Sequence, residues 1–503
     1  MFVEIIDTTL RDGEQTNGVA FTDKEKLSIA KHLLNEVKVS RIEIASARVS
    51  RGEFDCASRI LAWAKEVHCV EKIEILGFLD KHISIDWINK AGGKCINLLC
   101  KGSLRQLEGQ LRKSPEEHLA DIKESIEYAE SLGINVNVYL EDWSNGMRHS
   151  PDYVYYMLDN LSQTSIKRFM LPDTLGILYP KETYQYCKEI RARYPNLHFD
   201  FHGHNDYGLA VANSTAALTA GFNGVHTSVN GLGERAGNTA LSTIVPCIHD
   251  HLHLLTTVQE ISLNKISKLV ETISGVRVAS NMPIIGENVF TQTAGVHADG
   301  DKKGDLYCNE LIPERFGRVR KYALGKTSGK ANIEKNLQEL GLELGADVKA
   351  LITARVVELG DRKETITTED LYYIAREVMD NKKTEQRVEI ENYYVCNVKG
   401  MKPVATISLK IDGVVYEETS AGDGQYDAVM KALHKIYERR SIIIPKLEDY
   451  VVTIPPGGKT DALVETMITW NDGSRTFKTR GLDLDQTTAA IKATLKMLNI
   501  IDE

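Results

Sequence analysis

Short runs of β-branched and aliphatic residues recur eight times in the first half of the chain. They are Val3–Asp7, Arg41–Ala45, Ile73–Phe78, Lys94–Leu99, Ile134–Leu140, Arg168–Asp173, His198–His202 and Gly224–Asn230. Longer amphipathic stretches separate them, for example Thr22–Val37, Pro115–Leu132 and Lys181–Tyr194, several opened by the Thr, Ser, Asp or Pro that starts a helix. A strand followed by a helix, repeated, builds parallel βα units, and eight such strands are the number that closes a (β/α)8 TIM barrel. A doubly wound open sheet is the alternative.

Beyond about residue 255 the pattern turns helical, with Val258–Thr272, Thr327–Leu340, Asp347–Leu359 and Thr368–Asp380. From Arg387 strand-like segments return, Arg387–Cys396, Ala405–Ile411, Tyr450–Ile454 and Leu463–Trp470, with helices at Tyr426–Glu438 and Thr487–Leu498. The 503 residues are therefore expected to divide into a barrel over 1–257, a helical linker region over 258–386 and an α+β domain over 387–503. No internal repeat is evident. A composition of 42% hydrophobic and 26% charged residues is that of a soluble globular chain. The formal charge of -9 disfavours nucleic acid, and no apolar run is long enough to cross a membrane. Met1–Asp7 lacks the pattern of a signal peptide, so a cytoplasmic location is expected, with the eight scattered cysteines as reduced, mostly buried thiols.

Polar residues gather where the strands end, the face on which barrel enzymes place their chemistry. Strand one runs into Arg11, Asp12 and Glu14, strand five into Glu141 and strand six into Thr174. Strand seven carries His202 and His204, and the glycine-rich loop after strand eight leads to Asn238. Histidines two apart on a strand share a face. With Asp12 and Asn238 they make a mixed oxygen and nitrogen set suited to Zn, Mn or Mg, leaving positions for a bidentate 2-oxo acid. Arg11 beside that set is placed to stabilise an enolate or oxyanion, and Glu141 and Glu14 to move protons or to orient another group, with capping of a barrel loop as the plain alternative. His249, His251 and His253 read as a solvated face because residues two apart on a helix diverge, and Arg315–Lys321 reads the same way, with contact to an anionic cofactor as the alternative.

Two segments, Leu10–Gln15 with Lys26 downstream and His202–Gly208, resemble the signatures of the alpha-isopropylmalate and homocitrate synthase family. Thr291–Gly300 resembles its linker motif, and the last hundred or so residues its allosteric, dimer-forming domain. The resemblance implies condensation of acetyl-CoA with a 2-oxo acid, then thioester hydrolysis, in a homodimer. It places the divalent metal on Asp12, His202, His204 and Asn238, and the 2-oxo acid carboxylate at Thr174. It assigns Glu141 and the linker residues His297, Asp299 and Tyr307 to deprotonating the acetyl methyl and positioning CoA.

Leu76, Leu99 and Tyr139 match positions that line the oxo-acid pocket in citramalate-forming members, and the segment Val138–Gly146 resembles those more than isopropylmalate-forming ones. This implies pyruvate as substrate, with 2-oxoisovalerate as the alternative because one or two methyl groups discriminate weakly. A related hydroxyacyl-CoA lyase is disfavoured because the loop Gly231–Gly237 carries no cysteine. In the C-terminal domain, Gly422–Ala428 and Ile454–Asp461 have the composition of turns. The resemblance places an amino-acid effector at Tyr426 and Asp427, isoleucine if pyruvate is the substrate.

Overall fold

A computed structural model describes residues 2–302, 306–361, 366–380, 387–454 and 464–501, so most of the segment Ile454–Asp461 lies outside the described residues. The chain divides into two units, Met1–Phe290 with Cys308–Arg320, and Thr291–Tyr307 with Lys321–Glu503.

The first unit is a closed barrel of eight parallel strands in chain order. They are β1 (Glu4–Asp7), β2 (Arg41–Ser46), β3 (Ile73–Phe78), β4 (Cys95–Lys101), β5 (Asn135–Glu141), β6 (Phe169–Asp173), β7 (Phe199–Gly203) and β8 (Gly224–Thr227). β8 closes on β1 with His226 opposite Ile6. All eight expected strands are present. The helices between them begin where the sequence signals it: Thr22 forms a capping box with Glu25 ahead of Asp23–Lys31, and Ser114 forms one with Glu117 ahead of Pro115–Ser131. Helix Leu263–Ser274 packs on the same core through Leu263, Ile266 and Val270.

Side chains alternate along each strand, and the two faces differ sharply in character. Outward residues such as Ile42, Ile44, Ile75, Ile96, Val136, Phe169, Phe199 and Val225 form the core beneath the helices. Inward positions of such barrels are usually filled by branched aliphatics. Here Arg41, Glu43, Glu74, Asn97, Asn137, Asp200 and His226 are all buried. Burial of charge demands partners. Arg41 donates to Glu74, to Asp200 at 2.7 Å and to Glu4 at 2.9 Å, while the Asn97 amide bridges Glu43 at 2.7 Å and Glu74 at 3.0 Å.

In the second unit, helices Lys330–Glu339, Ala346–Asp361 and Thr368–Asp380 pack around Ile333, Leu337, Ile352, Val356 and Leu371. Two antiparallel three-stranded sheets follow. Val388–Cys396, Val404–Ile411 and Val414–Ala421 carry helix Gln425–Arg439, and Lys446–Thr453, Val464–Asn471 and Thr476–Asp483 carry helix Gln486–Ile501. Three strands and a helix thus occur twice, a repeat of topology that the sequence does not display. Within these two sheets, the strands Val414–Ala421 and Thr476–Asp483 are additional to those expected. The first was signalled by Asp412-Gly413, whose positive φ values of 49° and 84° make a two-residue hairpin turn between Ile411 and Val414. None of the eight cysteines, all among the described residues, forms a disulfide; four are buried and four half-buried. Among the described residues no helix is long and apolar enough to cross a membrane.

Candidate active site

The C-terminal mouth of the barrel brings the expected metal ligands together. His202 and His204 alternate inward at the end of β7, and their Nε2 atoms converge to 3.3 Å. Asp12, on the turn after β1, approaches His202 Nε2 at 3.4 Å through Oδ2. Ligand atoms of Asp12, His202 and His204 all lie within 4.8 Å of one another, and this is the single such cluster among the described residues. Asn238 lies beside Asp12. Its Nδ2 donates to Asp12 Oδ1 at 2.9 Å and to the Leu232 carbonyl at 3.0 Å, leaving a buried Oδ1 without a partner. The glycine-rich loop makes this approach feasible: a Cβ on Gly233 would lie 2.3 Å from Asn238 Nδ2, and one on Gly237 would lie 1.9 Å from the Gly231 carbonyl oxygen.

This donor set fits a divalent cation on three counts. Burial, the largest influence, holds both histidines below their usual pKa, so they stand as neutral imidazoles with free lone pairs. Burial opposes the charge on Asp12, but the Arg11 guanidinium, helped by the hydrogen bond from Asn238, outweighs it and holds the carboxyl well below its usual range. Finally, the four carboxylates of Asp12, Glu43, Glu74 and Asp200 are each at most 2% exposed, and within the barrel they face two guanidiniums, Arg11 and Arg41. One divalent cation closes that deficit.

Arg11 is held on three sides. Nε donates to Glu43 Oε2 at 2.5 Å, Nη1 to Asp12 Oδ2 at 2.7 Å and Nη2 to the Tyr139 hydroxyl at 3.2 Å. Beside it, Leu76, Tyr139 and Met170 form a small apolar cluster separate from the main core, with Phe78 and Leu99 packed against it. Arg11, Leu76, Phe78, Leu99 and Tyr139 line a cavity of about 230 Å³ that also reaches Glu141, Thr174, His202 and His204. The Thr174 hydroxyl oxygen accepts the Asp142 amide at 2.9 Å, so its own proton is available to an anion in the cavity. Glu141 is paired with the buried Lys101 at the end of β4.

The barrel region, residues 2–273, matches the HMGL-like family model. The chain belongs to this family. Residues 284–364 match a homocitrate synthase post-HMGL domain-like model and residues 365–501 the LeuA allosteric (dimerisation) domain. Among relatives, an (R)-citramalate synthase of Methanocaldococcus jannaschii is 31% identical over 503 residues, covering 100% of both chains. A 2-isopropylmalate synthase of the same organism is 33% identical over 509 residues, covering 99% of this chain and 94% of the relative. Among solved structures, HMG-CoA lyase from Bacillus subtilis has a TM-score of 0.46 at 21% identity, covering 56% of this chain and 96% of the lyase.

In this HMGL-like chain the linker-motif residues belong to the second unit. His297 and Asp299 lie on helix Gly295–Lys302, and the Tyr307 ring packs on His297 with centroids 4.3 Å apart. Gly300 allows that approach, since a Cβ there would come within 2.4 Å of the Tyr307 ring. In the C-terminal domain Tyr426 is tucked against Tyr450, with its hydroxyl 2.7 Å from that of Thr494. The Asp427 carboxylate receives Lys431 at 2.7 Å and the Asp423 amide at 2.8 Å.

Two expectations need correction. Glu14 is not free for proton transfer: it accepts the Phe21 amide at 2.8 Å and pairs with Lys26 at 2.6 Å, a buried lysine that also grips Glu53. Nor is Arg315–Lys321 a uniformly solvated face. Arg315 pairs with Glu260 and Asp250, and Arg318 donates to the carbonyls of Ile284, Gly286 and Glu287. His249 is engaged by Glu260 and Thr256, while His251 and His253 are exposed. Glu43, Lys101 and Arg235 are polar residues at the site that were not singled out from sequence. Arg235 ties Asp206 to the Thr174 carbonyl. Glu43 was detectable as a charge set between Ile42 and Ile44 within β2.

Proposed function

We propose that the chain is an (R)-citramalate synthase, condensing acetyl-CoA with pyruvate and hydrolysing the thioester to release CoA. The observation that carries this reading is the apolar cluster of Leu76, Tyr139 and Met170, with Leu99 and Phe78, beside Arg11 and the Asp12–His202–His204 set. It offers a short apolar side chain a place while its two oxygenated carbons face the charged groups. A substrate with a distal carboxylate would need a cation in that cluster, and none of its five residues supplies one.

Asp12, His202, His204 and Asn238 would hold a Zn, Mn or Mg ion, which as a Lewis acid supplies polarisation of the 2-oxo acid carbonyl. The remaining work falls to side chains. Thr174 donates to the carboxylate of pyruvate. Arg11, immobilised by Glu43, Asp12 and Tyr139, faces the oxygen on which negative charge develops as the acetyl carbon attacks. A proton must first leave the acetyl methyl group, and Glu141 serves that transfer. Lys101 beside Glu141 fixes the carboxylate's direction. The C-terminal domain would form the homodimer and bind an amino-acid effector at Tyr426 and Asp427, isoleucine being the product toward which citramalate leads.

The test is CoA release by metal-loaded protein with pyruvate, 2-oxobutyrate, 2-oxoisovalerate and 2-oxoglutarate, each with and without isoleucine or leucine. Fastest turnover on pyruvate with inhibition by isoleucine is expected. Fastest turnover on 2-oxoisovalerate would assign the chain to 2-isopropylmalate synthesis instead.

A further inference from the structure

Tyr139 forms one wall of the apolar pocket, and its hydroxyl is tied down beneath that wall. The oxygen lies 2.9 Å from His226 Nδ1, 3.2 Å from Arg11 Nη2 and 3.4 Å from Glu43 Oε2. A guanidinium can only donate, so Arg11 takes a lone pair and the phenolic proton turns toward His226 or Glu43. The geometry favours His226. Its second nitrogen, Nε2, faces Asp200 Oδ2 at 3.9 Å, and Asp200 is ion-paired with Arg41 at 2.7 Å. Nε2 makes no hydrogen bond, so an Nδ1 that accepts the Tyr139 hydroxyl leaves the imidazole proton on Nε2, on the side of Asp200. His226 is 1% exposed and sits one layer below the substrate cavity, which it does not line. Its ring packs edge-on to Tyr139 at 5.5 Å.

We propose that His226 is a positioning residue for substrate selection: by accepting the Tyr139 hydroxyl, it fixes the phenol ring as the wall that limits the side chain of the 2-oxo acid. The inference rests on the condensation reading above and adds to it. A longer or branched side chain must push the ring aside, which breaks a buried hydrogen bond. The unpaired buried atoms cost more than the extra methyl contacts return.

The experiment compares kcat/KM for pyruvate and 2-oxoisovalerate in the metal-loaded, full-length protein and four variants: His226→Leu, His226→Gln, Tyr139→Phe and the double variant His226→Leu/Tyr139→Phe. His226→Leu is expected to lower the preference for pyruvate about tenfold, the scale on which pockets discriminate methyl groups. His226→Gln, whose amide oxygen can accept the hydroxyl, is expected to keep most of it. In the Tyr139→Phe background the His226 substitution should change nothing further, because the bond it acts through is already gone. An unchanged preference in His226→Leu, or an equal loss in both backgrounds, overturns the inference. If His226→Leu does not fold, Tyr139→Phe alone must show the tenfold loss, and an unchanged preference there overturns it as well. Wild-type protein that releases no CoA with any 2-oxo acid overturns the condensation reading itself, a result distinct from these.

Discussion

The guanidinium Nε of Arg11 lies 2.5 Å from Oε2 of Glu43, a residue of β2 that is fully buried inside the barrel. Glu43 touches none of the expected metal ligands in the hydrogen bonds it makes. It instead fixes Arg11, a cation that borders both the metal cluster and the apolar pocket. Breaking a buried pair by removing one partner costs about 3–5 kcal/mol, because the other charge is left uncompensated. Glu43→Ala is therefore expected to lower stability on that scale. Glu43→Gln, which keeps an acceptor but loses the charge, should fold and lose about 100-fold in kcat, the cost of a catalytic group misplaced by about 1 Å. Urea titrations and steady-state kinetics on both variants check this, and wild-type kcat in Glu43→Gln would show that Asp12 and Tyr139 suffice to hold Arg11.

The imbalance of buried charge makes the barrel interior a thermodynamic sensor of its cation. Four carboxylates face two guanidiniums, so a divalent ion stabilises the folded form by binding where the unfolded chain offers no site. The gain is about 2.7 kcal/mol at a concentration 100 times the dissociation constant. Chelator-treated protein should therefore melt lower, and adding Mn or Zn should restore Tm. In Asp12→Asn and His202→Ala the ion should no longer raise Tm, and turnover should nearly vanish while the dimer persists. Full activity in either variant would defeat the metal assignment.

Gly233 separates a positional requirement from a chemical one. It supplies no ligand, yet a Cβ there would lie 2.3 Å from Asn238 Nδ2 and 3.3 Å from Asp12 Oδ1. Gly233→Ala is expected to displace Asn238 and weaken metal affinity about 10- to 100-fold, as changes around a metal's ligands do. Gly52→Ala, where the nearest atom is a serine hydroxyl at 3.7 Å, serves as the control. Equal metal affinities in the two variants would remove Asn238 from the site.

What was legible beforehand follows from which interactions are local. The eight strands announce themselves because outward-facing apolar residues such as Ile42, Ile75 and Phe169 make each one a hydrophobic run whatever its inward partners are. The histidine pair is legible because strand periodicity alone places His202 and His204 on one face. Asp12 and Asn238, 226 positions apart, could be joined to them only because strand ends share a mouth in this architecture. The ionic interior was not foreseen, since Arg41, Glu43, Glu74, Asn97, Asn137 and Asp200 come from five strands and each reads singly as an exposed residue. The same holds for Glu14: its pairing with Lys26 depends on how a loop folds back, which composition does not encode. The missed strand Val414–Ala421 is different in kind, because the Asp412-Gly413 turn was present in the sequence and favours a hairpin on local grounds alone.

His118 couples this site to acid. It is fully buried on helix Pro115–Ser131, and its Nε2 accepts the backbone amide of Lys101, the residue that grips Glu141. Burial, the largest influence, and the nearby Lys113 and Lys101 push its pKa down from 6.5 to about 4. The folded state thus favours the neutral ring, and the stabilisation is complete above pH 6.5. As pH falls from 6.5 toward 4 the unfolded chain takes up a proton that the native ring refuses, and stability drops by at most about 3 kcal/mol. Asp7 acts in the opposite sense: burial raises its pKa from 3.8 to about 6, so its contribution favours acid over a similar range. Comparing wild type with His118→Gln cancels the Asp7 effect, since glutamine can accept the same amide without titrating. Urea midpoints measured at pH 7.5, 6 and 5 should fall more steeply in the wild type than in the variant. Parallel pH slopes would mean that His118 does not set the acid limit, and that the Lys101–Glu141 pair is held without it.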